Sequence, residues 1–136
     1  MISNSVASGW QYPLIETDSM SCYTVLSPEE IYLTAVRAGF PSNTAVKMTA
    51  IAMRESSGCA DASNIRATGT LKPTDPGEES YGLWQINVGP KGNWRLLSQM
   101  GIVPEQLYDP DVNAQAARRL WNGNDANLNT AWYVDR

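Results

Sequence analysis

The chain has 136 residues, a formal net charge of −4, 43% hydrophobic and 18% charged residues, and no histidine. That length and composition suit one globular domain with a single core and exclude a disordered chain. Arg118-Arg119 is the only adjacent basic pair, so the clustered positive charge of a nucleic-acid binder is missing. Without histidine, Ser-His-Asp and Cys-His catalysis and His-ligated metal sites are excluded, and no metal or cofactor is expected.

Residues 1–26 read as an irregular lead-in with Pro13 and scattered Ser and Thr, and residues 27–136 as the folded domain. Met1 to Tyr12 lacks a basic stretch followed by an apolar one, so no secretory signal is expected. No apolar run approaches the about 20 residues that span a bilayer, so membrane insertion is not expected either. Cys22 and Cys59 are too few for a disulfide framework. They either pair or stay as part-buried thiols, and sequence leaves both open.

Ser27-Pro28-Glu29-Glu30 is a helix start, with Ser as N-cap, Pro at the first position and Glu at the third. The helix carries Ile31, Leu33, Ala35 and Val36 and ends at Gly39. After Pro41, Ser42 or Asn43 is placed to cap a second helix that runs through Glu55 and stops at Gly58. Asp61 to Ser80 contains Gly69, Pro73, Pro76 and Gly77 and reads as a long loop with room for a short hairpin. A loop of that length points to function, and it is expected to border a cleft. Tyr81 to Val88 reads as a short strand or a buried helix entry, broken by Gly89-Pro90. A short helix over Asn93–Met100 closes at Gly101, and Asp109-Pro110 opens another that runs to about Asn122. Leu128, Ala131, Trp132 and Val134 form a last apolar stretch. The fold class is therefore mainly α, with a small loop or β-hairpin region.

Met48, Ile51, Ala52 and Glu55 fall on one face of the second helix. That face is apolar, so a carboxylate on it must be paired, hydrogen-bonded or functional. Burial and a place in the last helical turn both disfavour its charged form. A glutamic acid kept protonated is what a glycosidic oxygen needs for cleavage. The alternative is a Glu on the helix edge, solvated or paired with Arg54 or Arg66.

The segment Ala50-Ile51-Ala52-Met53-Arg54-Glu55-Ser56-Ser57-Gly58 resembles the catalytic helix end of the lysozyme-like superfamily, where a helix closes on Glu-Ser and a polar loop follows. Tyr81-Gly82-Leu83-Trp84-Gln85-Ile86-Asn87 resembles the next segment of that superfamily. Soluble lytic transglycosylases read Gly-Leu-Met-Gln there, and animal c-type lysozymes read Tyr-Gly-Ile-Leu-Gln-Ile-Asn. Leu107-Tyr108-Asp109-Pro110-Asp111-Val112-Asn113 looks like the third element, in which Leu-x-Asp-Pro precedes an Asn on a helix. The resemblance covers roughly Ser27 to Tyr133. It implies a lysozyme-like α+β fold with Glu55 as the general acid. Ser56 would orient that acid or the loop. Tyr81, Gln85 and Asn87 would line the cleft, with Gln85 and the backbone near Asn87 binding an N-acetyl group. Tyr133 would match a Tyr that hydrogen-bonds the acid. Trp84 and Trp132 sit among apolar neighbours and read as core.

One departure bears on chemistry. In c-type lysozymes an Asp directly precedes the Tyr-Gly and serves as second carboxylate, and here that residue is Ser80. Glu79 is one residue earlier and would face the opposite way in a strand. Asp75 and Glu78 fall in the loop. With the second carboxylate missing from its slot, the resemblance implies a lytic transglycosylase, in which the sugar's own C6 hydroxyl closes a 1,6-anhydro ring. A loop carboxylate (Asp75, Glu78 or Glu79) holding a water would instead permit hydrolysis. The expected substrate is peptidoglycan. The acidic charge, short chain and missing signal suggest a phage protein, acting in a virion beside other virion or tail proteins or released to the periplasm or wall of a bacterial host. The remaining alternative is an inactive virion structural or glycan-binding module of the same fold.

Overall fold

A computed structural model describes residues 22–66, 78–90 and 92–132. The lead-in residues 1–21, the loop residues 67–77 with Asp75, and Tyr133 lie outside the described residues. The architecture is mainly helical with one small antiparallel sheet.

Helix α1 spans Pro28–Arg37. Its start is the capping box read from sequence. Glu30 N donates to Ser27 Oγ at 3.2 Å, and Ser27 N donates to Glu30 Oε1 at 2.7 Å. Ile31, Thr34 and Ala35 are buried at helical spacing. Helix α2 spans Ser42–Ser56 and buries Thr44, Ala45, Met48, Ile51 and Ala52 along one stripe. Neither Ser42 nor Asn43 caps it. The N-cap is Pro41, without a side-chain cap, because the helix begins one residue earlier than expected. Thr44 and Lys47, in its first turns, instead reach Asp125 at 3.0 and 2.8 Å.

The α2 C-terminus is shaped by backbone handedness. Ser57 and Gly58 both have positive φ, 56° and 83°. A Cβ on Gly58 would lie 2.6 Å from Leu26 O, so only glycine lets the lead-in pass there. Residues 22–26 therefore belong to the folded body. Leu26 N donates to Gly58 O, Ala60 N donates to Thr24 O, and Val25 pairs with Cys59. Cys22 and Cys59 form a disulfide with Cα atoms 5.9 Å apart.

The described parts of the Asp61–Ser80 stretch are not loop alone. Its ends are strands β1 (Ser63–Arg66) and β2 (Glu78–Tyr81), and β3 (Ile86–Asn87) completes the sheet in the order β1-β2-β3. Between β2 and β3 the chain turns through Gly82–Gln85, so Tyr81–Val88 is neither one strand nor a helix entry. Helix α3 (Arg95–Met100) ends on Gly101 with φ 68°. A 3-10 turn over Pro104–Tyr108 leads into α4 (Pro110–Leu120), capped by Asp109, whose carboxylate accepts from Asp111 N and Val112 N. Helix α4 stops at Leu120, two residues short of expectation. Trp121 leaves the helix so that its ring packs 5.4 Å from Phe40 and its Nε1 donates to Asp125 at 3.1 Å. Helix α5 covers Leu128–Trp132.

Trp84 is fully buried at the junction of these elements. Its Nε1 donates to Met48 O of α2 at 2.8 Å, and its own carbonyl accepts from Trp132 Nε1 at 2.9 Å. Both tryptophans are core, as their apolar neighbours implied. Among the described residues no helix is long and apolar enough to cross a membrane.

Candidate active site

Glu55 lies in the last turn of α2 with its side chain 15% exposed. It is carried there by the stripe Met48, Ile51 and Ala52, which is buried on the same helix face. Arg54 Nη2 stands 3.8 Å from Glu55 Oε2 and donates to Trp132 O at 3.1 Å. The pairing weighed against a catalytic Glu is thus present as a long contact, and the same guanidinium fastens α5 to the end of α2. Ser56 follows Glu55 as the last residue of α2. The hydroxyl donates to Ala52 O one turn back, at 3.0 Å.

The sheet supplies a polar surface. Ser80 pairs with Asn64 on β1 and with Asn87 on β3, so these three residues form a row on one face. Glu78 shares that face two residues along β2. It is a strand residue and not a loop residue, and Ser80 Oγ donates to its Oε2 at 2.7 Å. Ser80 itself is buried, 1% exposed. A carboxylate therefore does stand beside the serine that occupies the lysozyme Asp slot. Sequence reasoning left Glu78 unplaced because the strand pairing that orients it is not local. Asn64 was missed for the same reason. The signal available was its polar type in a short segment opposite β2.

Tyr81 and Glu79 face the other way. The Tyr81 ring is buried and meets Tyr108 edge-on at 5.6 Å, and its hydroxyl donates to Glu79 Oε1 at 3.4 Å. Burial first, then the Glu79 carboxylate, pushes the Tyr81 phenol above its ordinary value. Its ring lies on the packed face, opposite the Ser80 row. Gln85 has φ 47°, a left-handed conformation unusual for a residue with a side chain. Its amide donates to Gly82 O at 3.0 Å and Ala62 O at 3.2 Å, which closes the turn and ties it to the chain before β1. In the structure the Gln85 carboxamide is thus partnered by main chain. Asn87 is half-buried, and its Oδ1 accepts from Gly89 N at 2.9 Å.

Asn113 on α4 holds the Tyr81–Gln85 turn in place. It is fully buried, its Oδ1 accepts from Trp84 N at 3.0 Å, and its Nδ2 donates to Tyr81 O at 2.8 Å and Leu107 O at 2.9 Å. A Cβ on Gly82 would strike the Asn113 amide and Leu107 O, so glycine is required where the turn crosses α4. The sequence signal was an Asn among the alanines of α4's buried face, where an unpaired amide is too costly to persist.

Among the described residues one group of potential metal ligands, Cys22, Cys59 and Asp61, lies within 4.8 Å. Thiolate is the metal-binding form of cysteine, and these sulfurs are joined in a disulfide. Asp61 instead accepts from Tyr23 N and Thr24 N at 3.2 and 3.1 Å. The described side chains offer acid–base chemistry at Glu55 and, on the sheet, a row of amide and hydroxyl groups at Asn64, Ser80 and Asn87. A family model described as a lysozyme-like domain matches residues 32–132. No curated protein and no solved structure matches the chain.

Proposed function

The chain belongs to the lysozyme-like domain family, and from that premise we propose that it cleaves the β-1,4 bond between N-acetylmuramic acid and N-acetylglucosamine as a lytic transglycosylase. Membership supports peptidoglycan glycosidase activity in general. The finer reading rests on one observation, that the strand position of the lysozyme second carboxylate holds Ser80, buried and hydroxyl-bearing. Glu55 gives its proton to the glycosidic oxygen as the C1–O bond breaks. The C6 hydroxyl of the same muramyl residue then attacks C1, and its proton passes to the Glu55 carboxylate, which leaves a 1,6-anhydro end. The internal hydroxyl acts at high effective concentration, so no second protein carboxylate is needed. Asn64 and Asn87 provide amides for the acetamido groups along the strand.

Mass spectrometry of muropeptides released by the purified chain tests this, since an anhydro end is lighter by one water than a hydrolysed one. A second reading, hydrolysis, is favoured by the 2.7 Å bond between Ser80 and Glu78, which sets a carboxylate next to the position that Ser80 occupies. Inverting hydrolysis places its two carboxyls about 6.5–9.5 Å apart to hold a water. Hydrated ends that disappear in Glu78→Gln would replace the transglycosylase reading, and no release at all would leave a glycan-binding module. We place the protein outside the bacterial cytoplasm, where a disulfide such as Cys22–Cys59 persists, as a phage-borne enzyme at the host wall. Activity in purified virions would test that setting.

A further inference from the structure

Arg54, the residue before the acid, belongs to a closed ring of hydrogen bonds. Its Nη2 donates to Trp132 O at the end of α5, at 3.1 Å. The Trp132 indole Nε1 donates to Trp84 O at 2.9 Å, and the Trp84 indole Nε1 donates to Met48 O at 2.8 Å. Met48 and Arg54 both lie on α2, so the ring begins and ends on the helix that carries Glu55. Both indoles are buried, which makes their bonds costly to lose.

Arg54 is the exposed corner of that ring. Its side chain is 40% exposed, yet it is tied to a main-chain carbonyl. A carbonyl at a helix C-terminus has no partner within its own helix, and a guanidinium suits it by charge and as a donor. The tie steadies the last turn of α2, where helices fray, and Glu55 is in that turn.

The same nitrogen stands 3.8 Å from Glu55 Oε2. That contact is longer than a hydrogen bond, so it acts through charge. A neutral glutamic acid gains little from a nearby cation, but the carboxylate left when its proton departs gains directly. The interaction therefore grows as the proton moves to the glycosidic oxygen, and only such an interaction lowers the barrier.

We propose that Arg54 is a positioning residue for glycan cleavage. It fixes the end of α2 through Trp132 and sets a cation beside the negative charge that develops on Glu55. The inference rests on the reading of Glu55 as proton donor.

The test is steady-state kinetics on soluble peptidoglycan strands, per folded molecule, for the full chain and three variants. Arg54→Met removes donor and charge and is expected to lower kcat about tenfold with KM unchanged. Arg54→Gln keeps a donor without the charge and should fall between Arg54→Met and the parent. Arg54→Lys keeps both, and the Trp132 contact takes one donor, so most of the rate should return. Parental kcat in Arg54→Met, a raised KM at parental kcat, or an Arg54→Lys chain as slow as Arg54→Met overturns the assignment. If Arg54→Met does not fold, Arg54→Gln decides in the same way. Absence of cleavage by the folded parent chain removes the glycan reading itself, and this role with it.

Discussion

The helix pair α1–α2 and the turn Gly82–Gln85 are held together by opposite means. In the helices, backbone groups pair within the element, and the start of α1 is sealed by its own residues Ser27 and Glu30. In the turn, the decisive partners come from far along the chain. Asn113 serves both Trp84 N and Tyr81 O, and Met48 O receives the Trp84 indole. Glu55 therefore stands on an element that local rules specify, while the Gly82–Gln85 turn is fixed by partners on α2 and α4. Chemistry and shape should fail separately in variants.

The sharpest separation is at Glu55. Glu55→Gln is expected to lower glycan cleavage by at least about a hundredfold while the melting temperature stays within a few degrees. Turbidity clearing by the variant at the parental rate, at equal folded fraction, would remove Glu55 from the chemistry. Asn113→Ala should do the reverse. It leaves the buried Trp84 N–H and the Tyr81 and Leu107 carbonyls without their partner, and the expected cost is about 3 kcal/mol or more by urea denaturation. Faster hydrogen exchange should appear first at Trp84. A loss below 1 kcal/mol would mean that α4 does not hold the turn.

Gln85→Ala is expected to cost about 1–2 kcal/mol, because two amide-to-carbonyl bonds go and the left-handed backbone stays strained. Its cleavage should fall beyond the loss of folded protein if the carboxamide also meets substrate. Activity per folded molecule equal to the parent would make Gln85 a purely structural clamp.

The weaker ties are on the helix side. Asp125 is held below its ordinary value of 3.8, chiefly by the hydrogen bond from Lys47 and also by that from Thr44. A depressed carboxylate stabilises the fold above its unfolded value, and the contribution is lost as pH falls through the folded value. Urea midpoints should thus decline as pH drops below about 4, with a shallower decline in Asp125→Asn. An identical acid slope in that variant would discount the clamp. Ser27→Ala should cost only about 1 kcal/mol, the usual worth of a helix cap, and should leave cleavage unchanged at ordinary temperature.

The same contrast explains which parts of the site were readable beforehand. Helical period and the Glu-Ser ending put Glu55 on the buried stripe of α2, where the structure has it. The Asp-Pro start of α4 is likewise local, and Asp109 caps it as its type requires. Glu78, Ser80 and Asn87 are different. Their relation depends on strands that pair across a turn and across the 67–77 stretch, and β-pairing of this kind leaves little trace in a single short segment.

By itself the sequence determined the mainly helical class, the caps that open α1 and α4, and the inward face of α2 with Glu55 in its last turn. These follow from contacts three or four residues apart, which the order of residues specifies directly. Tertiary structure alone decided that Cys22 meets Cys59, that residues 22–26 join the body, and that Glu78 stands beside Ser80 while Glu79 turns to Tyr81. It also decided that the amide of Asn113, seemingly misplaced among alanines, is the peg on which the Tyr81–Gln85 turn hangs. Those outcomes depend on which distant polar groups must satisfy one another once water is excluded.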